Sequence, residues 1–335
     1  MKSLFFKCLI LLLEASLAFV YFSHVAVAEI TNKQISKYYN SIVSVNARVP
    51  SDANTARSLG TEREGNGVII DDNRILTIGY IITEASEIEI GLADGTKLPA
   101  VMVGYDYSSG FGIIKPVFHV ELEGLKLGDS DKIQLDEPLL IMPSKQRGIG
   151  SVAKMVSRRP FSGWWEYYLD KPIFTFPVNN DWGGTPLLNS KGEVLGIGSL
   201  FVQDAASEGS FSPGNMFVPI NLLKPILKDL IKFGRRQSDI KPYLGITSRQ
   251  SSGSVYVSRV REDGPAFKAG IQPEDIIKSV NGSSITTLQN FYQEIWKSGN
   301  AGVAVKLGID RNNQLLELTV KTVDRLDLLI KQKSF

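Results

Sequence analysis

Two histidines, one cysteine and a glycine-rich segment are the places where this 335-residue sequence could carry nucleophilic chemistry. Cys8 and His24 both lie in an N-terminal stretch with the features of a leader, so His119 is the only imidazole of the remaining chain. The glycine-rich segment is Asn180–Asn189. A side-chain hydroxyl attacks a carbonyl only when a positioned base takes its proton and donors stabilise the developing oxyanion. The question for these residues is therefore whether they include a nucleophile, a base and oxyanion donors for hydrolysis.

The segment Asn180–Asn189 resembles the nucleophile loop of the HtrA (Deg) family, periplasmic trypsin-like proteases that carry a PDZ domain. The family loop reads Gly-Asn-Ser-Gly-Gly-Pro-Leu, and Pro186–Asn189 anchors the match. With that anchor, the position of the nucleophilic serine falls on Gly183, which has no nucleophilic atom. Two residues earlier, where the family has a glycine whose N–H group helps to form the oxyanion hole, this sequence has Asp181.

The resemblance extends to the other two members of the catalytic triad. The family segment around the base histidine, Leu-Thr-Asn-Ala-His-Val-Val, matches Leu76–Ile82 and places Tyr80 at the histidine. The segment of the orienting aspartate, Asp-Leu-Ala-Val-Leu-Lys, matches Gly110–Lys115 and places Gly110 at the aspartate. The three triad positions are therefore substituted, by Tyr80, Gly110 and Gly183.

Composition supports this interpretation independently of the alignment. No serine occurs between Asn179 and Pro186, and His119 lies far along the chain from the segment that should supply the base. Asp106 could replace the lost carboxylate, but a carboxylate with no histidine to orient activates nothing. Loss of a triad costs on the order of 10⁶ in kcat, and about 10³ to 10⁴ over water remains.

The other candidate groups also favour a non-catalytic interpretation. Thr185 or Tyr80 could act as an unconventional nucleophile or acid, although an isolated Thr or Tyr is far more often structural. Asp181 restricts φ and adds negative charge near the developing oxyanion, so it weakens the oxyanion hole. His119 has no companion ligands at metal spacing, which predicts a surface histidine, no metal site and no cofactor.

Short apolar or alternating runs separated by turn residues continue from Ser41 to about Phe217, which is typical of antiparallel barrels or a sandwich. Asp94 and Gly95 predict a tight hairpin turn. The family resemblance selects a mainly β fold, a trypsin-like double β-barrel followed by a C-terminal α+β PDZ domain. The expected organisation is a signal peptide at 1–28, a protease-like domain at 36–234, a linker at 235–240 and a PDZ domain at 241–325.

A change of hydrophobic period marks the segment Asn221–Phe233 as a helix. Its apolar residues share one stripe, with Asn221 as the expected N-cap and Gly234 as the expected C-cap. Pro225 falls in the first turn, where its missing N–H group costs little. We expect this helix to close the second barrel.

Residues from about Lys241 to Val323 resemble a PDZ domain of the HtrA type. Tyr243–Ile246 match its carboxylate-binding loop, and Gly264–Ala266 and Asp275–Ile277 match later landmarks. In such a loop, successive backbone N–H groups bind a C-terminal carboxylate while the peptide adds as a strand. The resemblance and helical spacing nominate a set of peptide-binding residues, of which the last four could instead fill the core. They are Tyr243, Leu244, Gly245, Ile246, Leu288, Phe291, Tyr292 and Ile295.

An aromatic cluster just before the glycine-rich segment departs from the family pattern. It consists of Phe161, Trp164, Trp165, Tyr167 and Tyr168. An exposed cluster would be a binding surface, but Trp and Tyr side chains are commonly half buried. Packing in the core or at an interface is the favoured interpretation.

The N-terminus has the pattern of a secretory leader, with Lys2 and Lys7 before an apolar stretch and Ala26–Ala28 as an A-x-A cleavage site. We expect cleavage after Ala28 and a periplasmic or secreted protein. Glu14 interrupts the apolar run, so an uncleaved membrane anchor is the less favoured alternative. Without the leader the net charge falls from +2 to +1, which gives no electrostatic footprint for nucleic acid.

The resemblance and the missing triad together favour a non-catalytic HtrA-like pseudoprotease that acts as scaffold, chaperone or regulator. Its implied partners are exposed apolar C-termini of proteins, unfolded envelope proteins and active HtrA relatives, with a homo-oligomer such as a trimer also implied. The alternative is a serine endopeptidase with an unorthodox active site, supported by fold resemblance alone. A third hypothesis places the chain's own terminus, Lys333–Phe335, in a PDZ groove of the same or a neighbouring subunit.

Overall fold

The computed structural model describes residues 32–71 and 73–329 of the chain, and the described residues from Lys37 onward form one compact unit. The predicted leader at 1–28 and the terminus Lys333–Phe335 lie outside the described residues. The described α-helices are α1 (Asn32–Asn40), α2 (Ala56–Leu59), α3 (Gly79–Ile82), α4 (Leu227–Phe233), α5 (Pro265–Lys268) and α6 (Leu288–Lys297). Short 3-10 turns lie at Ser130–Lys132, Ile220–Leu222 and Arg325–Leu328.

Six antiparallel strands close into a first barrel, in the order β1-β2-β3-β6-β5-β4. The strands are β1 (Ile42–Arg48), β2 (Glu62–Asp71), β3 (Arg74–Ile78), β4 (Glu87–Gly91), β5 (Lys97–Tyr105) and β6 (Phe111–Pro116). Alternation along the strands places apolar side chains such as Ile69 and Leu76 fully inside. Gly95, at φ +92°, allows the turn between β4 and β5, so the predicted hairpin is confirmed.

A second closed barrel and a separate hairpin follow. The strands are β7 (Pro138–Ile141), β8 (Ser151–Ser157), β9 (Phe161–Gly163), β10 (Tyr167–Leu169), β11 (Ile173–Phe176), β12 (Pro186–Leu188), β13 (Val194–Val202) and β14 (Gly214–Pro219). The barrel order is β11-β14-β13-β12-β7-β8, and its core includes Leu139, Leu187 and Phe217. Strands β9 and β10 pair only with each other among the described strands.

The C-terminal domain is a sheet with two helices. Its strands are β15 (Ile246–Ser251), β16 (Ser254–Val260), β17 (Ile276–Val280), β18 (Ser283–Ser284), β19 (Ala304–Arg311) and β20 (Gln314–Lys321). The sheet order is β15-β16-β17-β19-β20, with β18 beside β17, and α6 buries Phe291 and Ile295 against it. Two barrels followed by this domain confirm the predicted mainly β fold. Within residues 32–71 and 73–329, no helix has the length and apolar character needed to cross a bilayer.

The single helix predicted over Asn221–Phe233 is wrong in its first half. A 3-10 turn at Ile220–Leu222 leads into further turns, and α4 begins at Leu227. Proline disfavours the helical conformation of the residue before it, so Pro225 breaks the helix. The apolar residues of the predicted stripe are therefore divided between the turns that precede Leu227 and helix α4.

The caps and the packing of this segment also differ in part from the prediction. Gly234 is the C-cap at φ +76°, as predicted. Asn221 is not the N-cap of α4, since its side chain donates to the carboxylates of Asp129 and Asp131 at 2.7 and 2.9 Å. Helix α4 packs against β5 and therefore covers the first barrel, while the preceding 3-10 turn contacts β13 of the second.

Candidate functional site

Tyr80 and Gly183, the positions predicted for the base and the nucleophile, lie close together between the two barrels. Tyr80 lies on α3, directly after β3, and Gly183 lies in the loop that precedes β12. A Cβ atom placed on Gly183 would lie 3.0 Å from Tyr80 Oη. The Tyr80 hydroxyl donates to the Ser199 carbonyl at 3.1 Å, and burial of this hydroxyl raises its pKa. A phenol that stays protonated at neutral pH is not a general base, and Gly183 has no side-chain oxygen.

Gly110, the position predicted for the orienting aspartate, is a buried glycine in a tight turn. Gly110 has φ +87°, and its carbonyl accepts the Gly79 N–H at 2.7 Å. A Cβ atom placed there would lie 3.3 Å from Tyr167 Oη. Glycine tolerates this left-handed backbone without strain, and no side chain here could orient a base.

Asp106, the carboxylate that could have replaced the lost one, is held in an ion pair. Its two oxygens accept from Arg236 at 2.7 and 2.9 Å, and one of them also accepts from the Ser109 backbone and hydroxyl. Asp106 is almost fully buried. A buried carboxylate with a bidentate arginine partner has a structural role here and faces no imidazole.

The loop that should form the oxyanion hole is hydrogen-bonded internally. The Asp181 N–H donates to Asn179 Oδ1 at 2.9 Å. The Asp181 carbonyl accepts the hydroxyl of Thr185 and, at 3.1 Å, the side-chain amide of Asn66. The Asp181 carboxylate lies 3.8 Å from the Arg147 guanidinium. An N–H group that already has a partner in this loop is not positioned to stabilise an oxyanion.

Thr185 and His119, the remaining polar candidates, are placed in structural surroundings. Thr185 is fully buried, and its hydroxyl accepts from Asn66 Nδ2 at 2.7 Å while bonding Asp181. His119 is exposed and its Nδ1 lies 2.6 Å from Asn73 Nδ2. Across the part of the chain that the structure describes, no group of three His, Cys, Asp or Glu side chains could hold a metal ion.

The predicted carboxylate-binding loop already binds a carboxylate from the same chain. The N–H groups of Leu244, Gly245 and Ile246 donate to Glu166 at 2.8, 2.7 and 2.7 Å. Gly245 has φ +83°, the left-handed conformation that allows successive N–H groups to point to one side. Glu166 lies in the turn between β9 and β10 and is buried. Tyr243 pairs with Val323 just before the loop.

The predicted side-chain pocket on α6 is divided between core and hairpin. Leu288, Phe291, Tyr292 and Ile295 are all buried in the core of the C-terminal domain. Tyr292 additionally reaches the hairpin, because its hydroxyl donates to the Gly163 carbonyl at 2.8 Å. The structure thus brings the loop residues and Tyr292 to one groove, between β15 and α6.

The aromatic cluster forms the hairpin β9–β10 and packs at an interface. Trp165 and Tyr167 stack with their ring centres 5.7 Å apart. The Phe161 ring is tilted against Trp165 and lies edge-on to Tyr167. Tyr168 is part of the core of the C-terminal domain, where it contacts Trp296. Trp164 remains half exposed. The aromatic cluster therefore packs at the interface between the hairpin β9–β10 and the C-terminal domain.

Sequence reasoning missed Glu166, Arg325 and Asn66. Asn66, on β2, is fully buried and bonds both the nucleophile loop and the Ser144 N–H. Arg325 donates to the Trp165 carbonyl at 2.7 Å. The one visible signal was an acidic residue inside the aromatic cluster, and its partners lie some eighty residues further along the chain.

Two six-stranded barrels, with Tyr80 and Gly183 close together between them, and a following domain whose loop binds a carboxylate define a trypsin-like peptidase fold joined to a PDZ domain. The trypsin-like peptidase domain family matches residues 65–197, and the PDZ domain family matches residues 242–322. The chain belongs to the HtrA/Deg family.

Curated relatives bear protease names. The periplasmic pH-dependent serine endoprotease DegQ of Escherichia coli is 29% identical over 273 residues, which cover 76% of this chain and 58% of DegQ. A probable periplasmic serine endoprotease DegP-like of Pseudomonas putida is 30% identical over 270 residues, 76% of this chain and 55% of the relative. The chain thus spans a little more than half the length of these relatives.

Solved structures share the fold at lower identity. The HtrA-type protease AlgW with tripeptide has a TM-score of 0.52 and 20% identity, over 86% of this chain and 95% of AlgW. The serine endoprotease from Yersinia pestis has a TM-score of 0.52 and 22% identity, over 87% and 97% of the two chains.

Proposed function

We propose that this protein is a non-catalytic member of the HtrA lineage. The observation that carries the proposal is the closeness of Gly183 to Tyr80, whose hydroxyl would lie 3.0 Å from a Cβ atom on Gly183, at the positions that match the family's nucleophile and base. Gly110 supplies no carboxylate, Asp106 is bound by Arg236, and the Asp181 N–H is bound within its own loop. The nucleophile, the base, the orienting carboxylate and the oxyanion hole are thus all missing. No hydroxyl at these matched positions has a base beside it that could activate it for acyl transfer.

The task we propose in its place is recognition of protein C-termini by the PDZ domain. The Leu244–Ile246 N–H groups converge on one carboxylate, which is how a terminal carboxylate is bound, and β15 offers an edge to an added strand. The proposed ligands are exposed apolar C-termini, including those of unfolded envelope proteins. Association with active relatives and a trimeric assembly belong to the same proposal, as does a periplasmic location after cleavage at Ala28.

One experiment separates binding from proteolysis. The mature protein, from residue 29 onward, is incubated with an unfolded protein and with peptides that end in an apolar residue bearing a free carboxylate. We expect no cleavage of the unfolded protein, and binding of the peptides that disappears when their carboxyl end is amidated. The Escherichia coli DegQ protein serves as the active control. Cleavage at a rate that scales with the concentration of this protein would instead support an endopeptidase with an unorthodox site.

A further inference from the structure

The carboxylate of Glu166 occupies the place of a peptide terminus. One oxygen accepts the N–H groups of Gly245 and Ile246, and the other accepts the N–H of Leu244. Three N–H donors on one carboxyl group match the way in which such a loop binds a terminal carboxylate. The N–H groups used here are those that would bind the terminal carboxylate of another protein, so the two ligands exclude each other.

The backbone beside Glu166 follows the same groove. The Ser248 N–H on β15 donates to the Trp164 carbonyl at 2.9 Å, which is a strand-type contact. On the opposite side of the groove, Tyr292 on α6 donates to the Gly163 carbonyl at 2.8 Å. The hairpin therefore contacts both walls of the groove and its carboxylate-binding end.

Further contacts hold the hairpin from outside the groove. Gln293 on α6 donates to the Tyr168 hydroxyl at 3.0 Å. Arg325, from the segment after the last strand, donates to the Trp165 carbonyl and lies over the rings of Tyr107 and Tyr243 at 3.5 and 4.7 Å. These contacts fix the direction in which Glu166 enters the loop.

We infer that the hairpin Phe161–Leu169 is a resident ligand of the PDZ domain, with the Glu166 side chain in place of a C-terminal carboxylate. The inference rests on the proposed function, since it states how the hairpin controls peptide binding to the same groove. We call the form with the hairpin in the groove closed and the form with the hairpin released open. An external C-terminus binds only the open form, so its apparent affinity is its intrinsic affinity multiplied by the fraction of open molecules. The third sequence hypothesis, the chain's own terminus in a groove, requires the same N–H groups and must displace Glu166 as well.

The test compares full mature proteins that differ at Glu166. Glu166→Ala removes all three hydrogen bonds, and Glu166→Gln keeps the volume while removing the charge. Glu208→Gln is the matched control, because Glu208 lies in an exposed bend between β13 and β14. Two quantities are measured on each protein: amide hydrogen exchange at residues 244–246, and the affinity for a fluorescent decapeptide with an apolar residue and a free carboxylate at its end.

We expect slow exchange at residues 244–246 in the wild type and in Glu208→Gln, and faster exchange in both Glu166 variants. Peptide affinity should rise at least about tenfold in Glu166→Ala. If Glu166→Ala does not fold, Glu166→Gln carries the same comparison with a smaller change.

Two failures are distinguishable. Equal exchange in all four proteins, or a wild type that binds the peptide as tightly as the Glu166 variants, overturns the resident ligand and leaves peptide recognition standing. Faster exchange in the Glu166 variants with no peptide bound by any protein confirms the resident ligand and rejects the proposed recognition of C-termini.

Discussion

Gly110 shows at the scale of single residues why a side chain at this position would destabilise the fold. Its φ of +87° is unfavourable for a side chain, and a Cβ atom there would lie 3.3 Å from both Ile78 and Tyr167. An aspartate would also bring a second carboxylate close to Asp106, since the Gly110 N–H donates to the Asp106 carbonyl at 2.8 Å. The surroundings of Gly110 therefore disfavour an aspartate at this position.

The exchange Gly110→Asp should therefore lower the free energy of unfolding by about 2 kcal/mol more than Gly95→Asp does. Gly95 is the matched control, because its φ is +92° and no atom lies within 4 Å of an added Cβ. Both variants carry the backbone strain, but only the first buries a carboxylate. Urea unfolding measures the difference, and equal destabilisation of the two variants would contradict the account of this site.

Single residues also mark the limit of what the sequence could predict. The proposed triad positions Tyr80, Gly110 and Gly183 could be assigned from the sequence because each lies in a recognisable local motif. Glu166 was not readable, since its three hydrogen-bond partners lie 78 to 80 residues away and only the folded chain brings them together. A local sequence motif shows which side chains a segment carries. It does not show which distant residues those side chains contact in the folded chain.

The hairpin β9–β10 acts at the scale of an element, and its contact with the PDZ domain has a pH dependence. Burial raises the pKa of Glu166 to about 7, although hydrogen bonds from Leu244 and Ile246 and the charge of Arg325 oppose this. Burial also raises the pKa of the facing Tyr243 and Tyr292, so both stay neutral near pH 7. When the hairpin leaves, the Glu166 pKa returns towards 4.5.

Between these two pKa values the closed form holds a proton that the open form has lost, so raising the pH favours opening. The wild type should thus bind the decapeptide more tightly at pH about 8 than at pH about 5, by on the order of 100-fold at most. Glu166→Gln, which has no carboxyl to titrate, should show a flat profile. The affinity is measured by fluorescence anisotropy across this range, and parallel profiles for both proteins would exclude Glu166 as the titrating group.

Element boundaries were less predictable than element type. The apolar stripe over Asn221–Phe233 correctly indicated helical structure and its C-cap at Gly234. Pro225 moved the start of α4 to Leu227, and the helix packs against the first barrel because packing surfaces are decided by tertiary contacts. Periodicity identifies the buried face of an element, whereas its neighbour depends on the path of the whole chain.

The whole molecule is held together at the junction of barrel and PDZ domain. The segment predicted as a polar linker is fixed there, because Arg236 pairs with Asp106 and Arg235 pairs with Asp324 and Asp327 at 3.0 and 2.8 Å. Arg325 adds its contacts to Trp165, Tyr107 and Tyr243. Such ion pairs and cation–π contacts couple the two domains beyond the groove itself.

Removal of Arg325 should uncouple the domains. Arg325→Ala loses one charge-assisted hydrogen bond and two cation–π contacts, together about 2 to 4 kcal/mol. Arg249→Ala is the control, since Arg249 lies over Tyr256 at 4.6 Å and pairs with Glu274 inside the PDZ domain. Calorimetry should show one thermal transition for the control and two for Arg325→Ala. A single unshifted transition in Arg325→Ala would mean that the junction does not depend on this residue.

The most direct test of the central claim, that the trypsin-like fold here has no catalytic nucleophile, is intact-mass spectrometry after incubation with a fluorophosphonate. Such a probe forms a covalent adduct only with an activated nucleophile, and Gly183 has no atom to attack it. We predict an unchanged mass for this protein and a stoichiometric adduct on the Escherichia coli DegQ control. A stoichiometric adduct on this protein would contradict the account.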